Sequence, residues 1–122
     1  MAGRYDLEII QGSTFAKKLT LKEDDELTVI DLTNCTAKLQ IRDNYKGNLI
    51  FEISTEIGGL SIPEPTLGEI WMEISAHRSK LWNFECALYD LEIYRGASVL
   101  RLIQGKVILL PEVTEDDELN GD

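Results

Sequence analysis

The 122 residues include only two cysteines, Cys35 and Cys86, and one histidine, His77. Three such ligands cannot close a tetrahedral zinc site. Nucleophilic catalysis would need His77 beside a thiol or hydroxyl, and no motif flanks either cysteine or any serine. His77 therefore reads as a surface residue, and the chain as no enzyme. Basic residues are also scarce, 12 Lys and Arg against 22 Asp and Glu, for a net charge of -10. Nucleic acid and anionic membranes both attract basic surfaces, so neither is an expected partner. No apolar run approaches the roughly 18 residues of a membrane span, and Met1-Ala2-Gly3-Arg4-Tyr5 carries none of a signal peptide's apolar stretch. The expectation is a soluble protein made in the cytoplasm. Without an export signal, the two cysteines are expected as free, mostly buried thiols. Gly58-Gly59 lacks a following Lys-Ser or Lys-Thr and opens no helix, so no phosphate loop is present and no cofactor is expected.

What the chain does contain is alternation. Tyr5-Asp6-Leu7-Glu8-Ile9 leads through Ile10 and Gln11 to Gly12, and Tyr89-Asp90-Leu91-Glu92-Ile93 leads through Tyr94 and Arg95 to Gly96. Six of these eight positions are identical. Each copy has the period of a half-buried strand entering a turn, and the two read as similar hairpins within one domain. Further strands are expected over 15–21, 35–42, 49–54, 60–62, 70–74, 87–93 and 99–110. Ser75 is placed to cap a helical turn over 76–82 with Leu81 facing inward. Hydrophobic content of 43% and charged content of 28% are those of a globular domain. Seven or eight short strands and one helical turn indicate an antiparallel sandwich or a barrel over residues 1–111. Residues 112–122 contain Glu115, Asp116, Asp117, Glu118 and Asp122, with only Val113 and Leu119 to bury, and read as a disordered acidic tail dispensable for folding.

Few residues are candidates for a site. The clusters Asp24-Asp25-Glu26 and 115–118 lack the spaced ligands of a calcium loop and read as solvated. Asp6 with Glu8, and Asp90 with Glu92, lie two apart on a strand face, as on any solvated strand. Trp71 lies opposite Ile70, Met72 and Ile74. It is either exposed at an interface, where Trp is enriched, or covered because both faces of its strand are buried. The 99–110 strand is apolar on both faces: Val99, Ile103, Val107 and Leu109 on one, Leu100, Leu102, Ile108 and Leu110 on the other. A strand of that kind is covered on both sides. Trp71, Leu100, Leu102, Ile108 and Leu110 are therefore the expected protein-interface residues.

Three phrases resemble a known group. They are the opening 5–15, the segment Asp31-Leu32-Thr33-Asn34-Cys35 through Arg42, and the close from Tyr89 through Gly105 to Thr114. Together they resemble small structural proteins of tailed bacteriophages, similar to the N-terminal domain of upper-baseplate proteins. The resemblance implies a single immunoglobulin-like antiparallel β-sandwich, made in the host bacterial cytoplasm and assembled into the virion without catalytic residues. Its partners would be other phage structural proteins in tail, baseplate, fibre or capsid, with homo-oligomers in the particle. An adaptor attaching a fibre or neighbouring subunit is the leading expectation, and a capsid cement or decoration subunit the second. A carbohydrate-binding module, with Trp71, Trp82, Tyr45 or Tyr94 as stacking platforms, is the alternative of a different class. In disulfide-bearing immunoglobulin domains a Tyr precedes the second Cys by two residues; here Tyr89 follows Cys86, which reverses that order.

Overall fold

The computed structural model describes residues 2–23, 25–44 and 47–111. The acidic tail 112–122, Asp24 and Tyr45 lie outside the described residues, as does the side chain of Leu102. Nine strands are present among the described residues: β1 (Ala2–Arg4), β2 (Leu7–Ile10), β3 (Phe15–Thr20), β4 (Cys35–Arg42), β5 (Leu49–Ser54), β6 (Leu60–Ser61), β7 (Glu69–Ile74), β8 (Cys86–Arg95) and β9 (Ser98–Leu110). A 3-10 turn at Pro65–Leu67 precedes β7, and one short helix, α1 (Ala76–Lys80), follows it.

The strands form two layers, not a barrel. The larger sheet runs β1-β9-β8-β4-β5, with β2 beside β1 along the same edge of β9, and the smaller runs β3-β7-β6. This is the strand order of an immunoglobulin-like sandwich, with β9-β8-β4-β5 in the places of G-F-C-C′ and β3-β7-β6 in those of B-E-D. Most pairings are antiparallel, but β1 and β2 run parallel to β9, Ala2 against Leu102 and Leu7 against Val107. The turn at Gly12 consequently joins no hairpin. It carries the chain from one sheet to the other, whereas the turn at Gly96 does close a hairpin, β8 to β9.

Alternation builds the core. Leu7 and Ile9 of β2, Leu39 and Ile41 of β4, Leu91 and Ile93 of β8, and Val107 of β9 point inward from the larger sheet; Ile70, Met72 and Ile74 answer from β7. Ile30 and Leu32, in the segment before β4, are buried with them. Each such side chain contributes about 1.5–3 kcal/mol on leaving water. Cys35 pairs with Arg95 and Cys86 with Ile108, at opposite ends of β8. Nine residues of extended strand separate those ends by about 30 Å. The thiols are free, as expected, but not buried: Cys35 is half-buried and Cys86 exposed.

Two other expectations are corrected. The helix ends at Lys80, with Leu81 69% exposed; Trp82, at 7%, is the inward residue. Val99 does not face the core. The β8–β9 register shifts between Ile93 and Tyr94, so Ile93 meets Arg101 but Tyr94 meets Val99. The extra residue, Leu100, bulges, and the period-two pattern beyond it is inverted.

Candidate protein-interaction surface

The expected interface residues divide between opposite faces of the sandwich. Because Val107 and Leu109 point inward, Ile108 and Leu110 point outward on the larger sheet. Their neighbours on that face are Ile10 and Glu8 from β2, paired with Leu110 and Ile108, and Cys86 from β8, also paired with Ile108. Leu88, two residues along β8, extends the row and is half-buried. Ile10 is 52% exposed and Leu110 39%. Leu100, exposed in the bulge beside Val99, lies toward the other end of β9. Between these ends the described outer positions of β8 and their partners include polar pairs. Asp90 sits opposite Gln40 and Gln104, and Glu92 opposite Lys38. The surface is thus an apolar strip across three strands, bordered by mixed charge.

Trp71 lies elsewhere. It is on the outer face of the smaller sheet, 44% exposed, so that face of its strand is not covered within the domain. Lys18 from the paired strand places its Nζ 5.6 Å from the ring centroid and 3.4 Å from Glu69. A shallow groove of about 360 Å3 runs beside it, lined by Ala16, Ser61, Pro63, Trp71 and Glu73 among others. Trp82 packs between Phe51 and Phe84, tilted 59° and 32° to them with centroids 5.5 Å apart on each side. It is therefore no exposed platform. Tyr94 lies on the outer face of the larger sheet, its hydroxyl donating to Glu92 at 2.9 Å. Trp71 and Tyr94 thus occupy different faces and share no sugar-binding surface.

The acidic residues act as turn braces. Asp25 accepts from the backbone N–H groups of Leu27 and Thr28, each at 2.9 Å, and from the Thr28 hydroxyl at 2.7 Å. The Thr28 backbone bond, then its hydroxyl, holds the Asp25 carboxyl down at about 2. Asp31 accepts from Thr33 in the same way, side chain first, and its carboxyl is also lowered. Among the described residues no group of His, Cys, Asp and Glu converges as a metal site. His77 is exposed.

One constellation escaped the sequence reading. Between β1 and β2 the chain kinks at Tyr5-Asp6 over Gly105 of β9. The Tyr5 N–H donates to the Gln104 carbonyl at 2.9 Å, and the Asp6 carboxylate accepts from the Lys106 N–H at 2.9 Å. The Tyr5 carbonyl accepts from the hydroxyl of Tyr89. A Cβ on Gly105 would collide with that carbonyl. Burial, reinforced by the nearby Asp6 charge, pushes the Tyr89 hydroxyl above its ordinary pKa of 10.0. The available signal was a lone Gly inside the longest strand, which marks close backbone approach.

No protein-family model and no curated protein matches the chain. Among solved structures it is similar to the extracellular domain of the voltage-gated sodium channel beta4 subunit. That match has 9% identity and a TM-score of 0.47, over 90% of this chain and 93% of that one. It is also similar to a chain of the ZIG-8–RIG-5 IG1–IG1 heterodimer, at 7% identity and TM-score 0.43, over 88% and 83%. A third is the second Ig domain of the mouse polymeric immunoglobulin receptor, at 14% identity and TM-score 0.39, over 94% and 100%. No helix among the described residues is long and apolar enough to cross a membrane.

Proposed function

We propose that this domain is a non-enzymatic assembly module, and that its setting is the virion of a tailed phage, where it attaches a fibre or neighbouring subunit at the tail or baseplate. The observation that carries the assembly role is the outward apolar strip of Ile10, Ile108 and Leu110, continued by Leu88. Isolated exposed apolar residues are normal on any surface, but a contiguous row across three strands suits a partner. The phage setting is supported by the resemblance of the three strand phrases. A capsid decoration subunit would use the same strip. In a particle the contact is repeated many times, so weak individual contacts suffice.

The test is charge substitution within the strip, Ile10→Glu with Leu110→Glu, in phage particles that carry the chain. Neither side chain supports the core, so the purified variant should keep its thermal transition. The particles should lose the subunit. Virions with the folded variant at full occupancy would overturn the reading, and Trp71→Ala, on the opposite face, serves as the control.

A further inference from the structure

The outer face of the smaller sheet already holds one cation against its tryptophan. Lys18 lies beside Trp71 across the β3–β7 ladder, its Nζ 5.6 Å from the ring centroid and 3.4 Å from the Glu69 carboxylate. That arrangement shows the chemistry this face favours, a positive group over an indole with a carboxylate two residues along the same strand. Glu73 stands two residues from Trp71 in the other direction, on the same face of β7. It is exposed and has no salt bridge among the described residues. Two carboxylates thus flank Trp71, and only Glu69 is matched by a cation.

The neighbours of Glu73 leave it accessible. Across the ladders they are Ala16 on β3 and Gly59 just before β6, whose carbonyl accepts the Glu73 N–H at 2.8 Å. A methyl group on one side and no side chain on the other open the groove of about 360 Å3, which Ser61, Pro63 and Trp71 complete. That volume is at the small end of ligand clefts, which run from about 300 Å3, and suits one long side chain. An anion would be repelled by Glu73, and an apolar chain would leave the carboxylate unmatched. A guanidinium fits both features. Its plane stacks on an aromatic ring while its edge donates two N–H bonds to a carboxylate, which a lysine ammonium cannot do together. The net charge of -10 draws a basic partner toward the domain.

We propose that the groove beside Trp71 is a docking site for an arginine side chain presented by a partner protein, with the guanidinium against the indole and hydrogen-bonded to Glu73. The site lies on the other sheet from the Ile10–Leu110 strip and stands whether or not that strip binds a partner. Lys18 is its internal competitor, since it sits over the ring and neutralises Glu69.

The test is an NMR titration of the full chain with N-acetyl-arginine amide. It reads the Trp71 indole and the Ala16 and Gly59 amides, with the buried Trp82 indole as reference. The Trp71 set should shift saturably in the millimolar range, and the Trp82 indole should stay in place. E73Q, at an exposed position away from the core, should weaken binding about threefold. K18Q should strengthen it by about the same factor, because the ring and Glu69 are both freed. General damage to the sheet would not move the two variants in opposite directions. The uncharged N-acetyl-citrulline amide should leave the set unmoved. Free arginine should bind more weakly than the blocked form, because its own carboxylate meets Glu69 and Glu73. Absent shifts would overturn the proposal, as would equal shifts with the citrulline compound or with methyl glucoside, which would make the groove a reader of shape or of sugar. Tighter binding of free arginine would overturn it in favour of a small-molecule ligand. So would Trp71 shifts on diluting the protein alone, which would place the arginine on a second copy.

Discussion

Residues 5–12 and 89–96 spell nearly the same phrase in two unlike positions, β2 with its kinked approach at the edge of the larger sheet and β8 at its centre. The two lie on either side of β9, one parallel and one antiparallel to it. Their apolar residues behave alike: Leu7, Ile9, Leu91 and Ile93 are all buried. Both phrases end at a glycine with positive φ, +80° at Gly12 and +61° at Gly96, where other residues would be strained. The polar and aromatic positions diverge. Tyr5 is 38% exposed with Lys17 over its ring, whereas Tyr89 is 2% exposed and bonds to the Tyr5 carbonyl. Asp6 holds a backbone N–H of β9, while Asp90 faces solvent. Strand period thus sets the burial of the aliphatic positions in both phrases, but a strand's place in the sheet sets whether its Tyr is buried and what its polar groups do.

The comparison breaks most visibly in the core. Leu91→Ala, in a strand flanked on both sides, should cost about 4 kcal/mol, and Leu7→Ala, at an edge that can relax, about 2–3 kcal/mol. Urea unfolding of the pair measures this, and equal losses would show that the edge is as rigid as the centre. Next is Gly105→Ala, which forces a methyl into the Tyr5 carbonyl and to within 3.0 Å of the Asp6 carboxylate. About 3 kcal/mol is expected, with hydrogen exchange accelerated in β2 more than in β8.

Tyr89→Phe removes a buried hydroxyl and leaves the Tyr5 carbonyl without that donor, for about 1.5 kcal/mol; Tyr5→Phe should cost close to nothing. The same pair differs in alkali. A hydroxyl whose folded pKa lies above its unfolded value stabilises fully below about pH 10 and loses that contribution as pH rises toward the folded value. Stability should therefore fall above pH 10 in the wild type and in Tyr5→Phe, and less steeply in Tyr89→Phe. The smallest contrast is Asp6→Ala against Asp90→Ala, about 1 kcal/mol against none, read from the same denaturation curves.

Most of the layer assignment was legible because strand period is a local property. Ile70, Met72 and Ile74 against Trp71, or Leu39 and Ile41 against Lys38, needed no knowledge of the partner strand. What was not legible depended on residues far away in sequence. Val99 turned outward because Leu100 bulges against β8. The Gly12 turn crosses between sheets because β2 finds β9, some hundred residues on, and not β3. Leu81 and Trp82 could not be told apart by a helix pattern lasting one turn, and the Phe51 and Phe84 rings that enclose Trp82 come from elsewhere. The expected interface residues divide between faces for the same reason: Trp71 and Leu110 share a composition signal but sit in different sheets.

The parallel pairing of β1 and β2 with β9 also determines how the domain bears load. Pulled apart through Ala2 and Pro111, these strands slide along one another, and their hydrogen bonds are strained in shear together, since force enters β1 and leaves β9 at opposite ends of the shared seam. An antiparallel edge hairpin pulled in the same way would open like a zipper, one bond at a time. The Tyr5-Asp6 kink, pinned to Gln104, Lys106 and Tyr89, sits in the middle of this seam as a catch against sliding. Tension applied between Ala2 and Pro111 would thus meet the bonds of the whole seam at once.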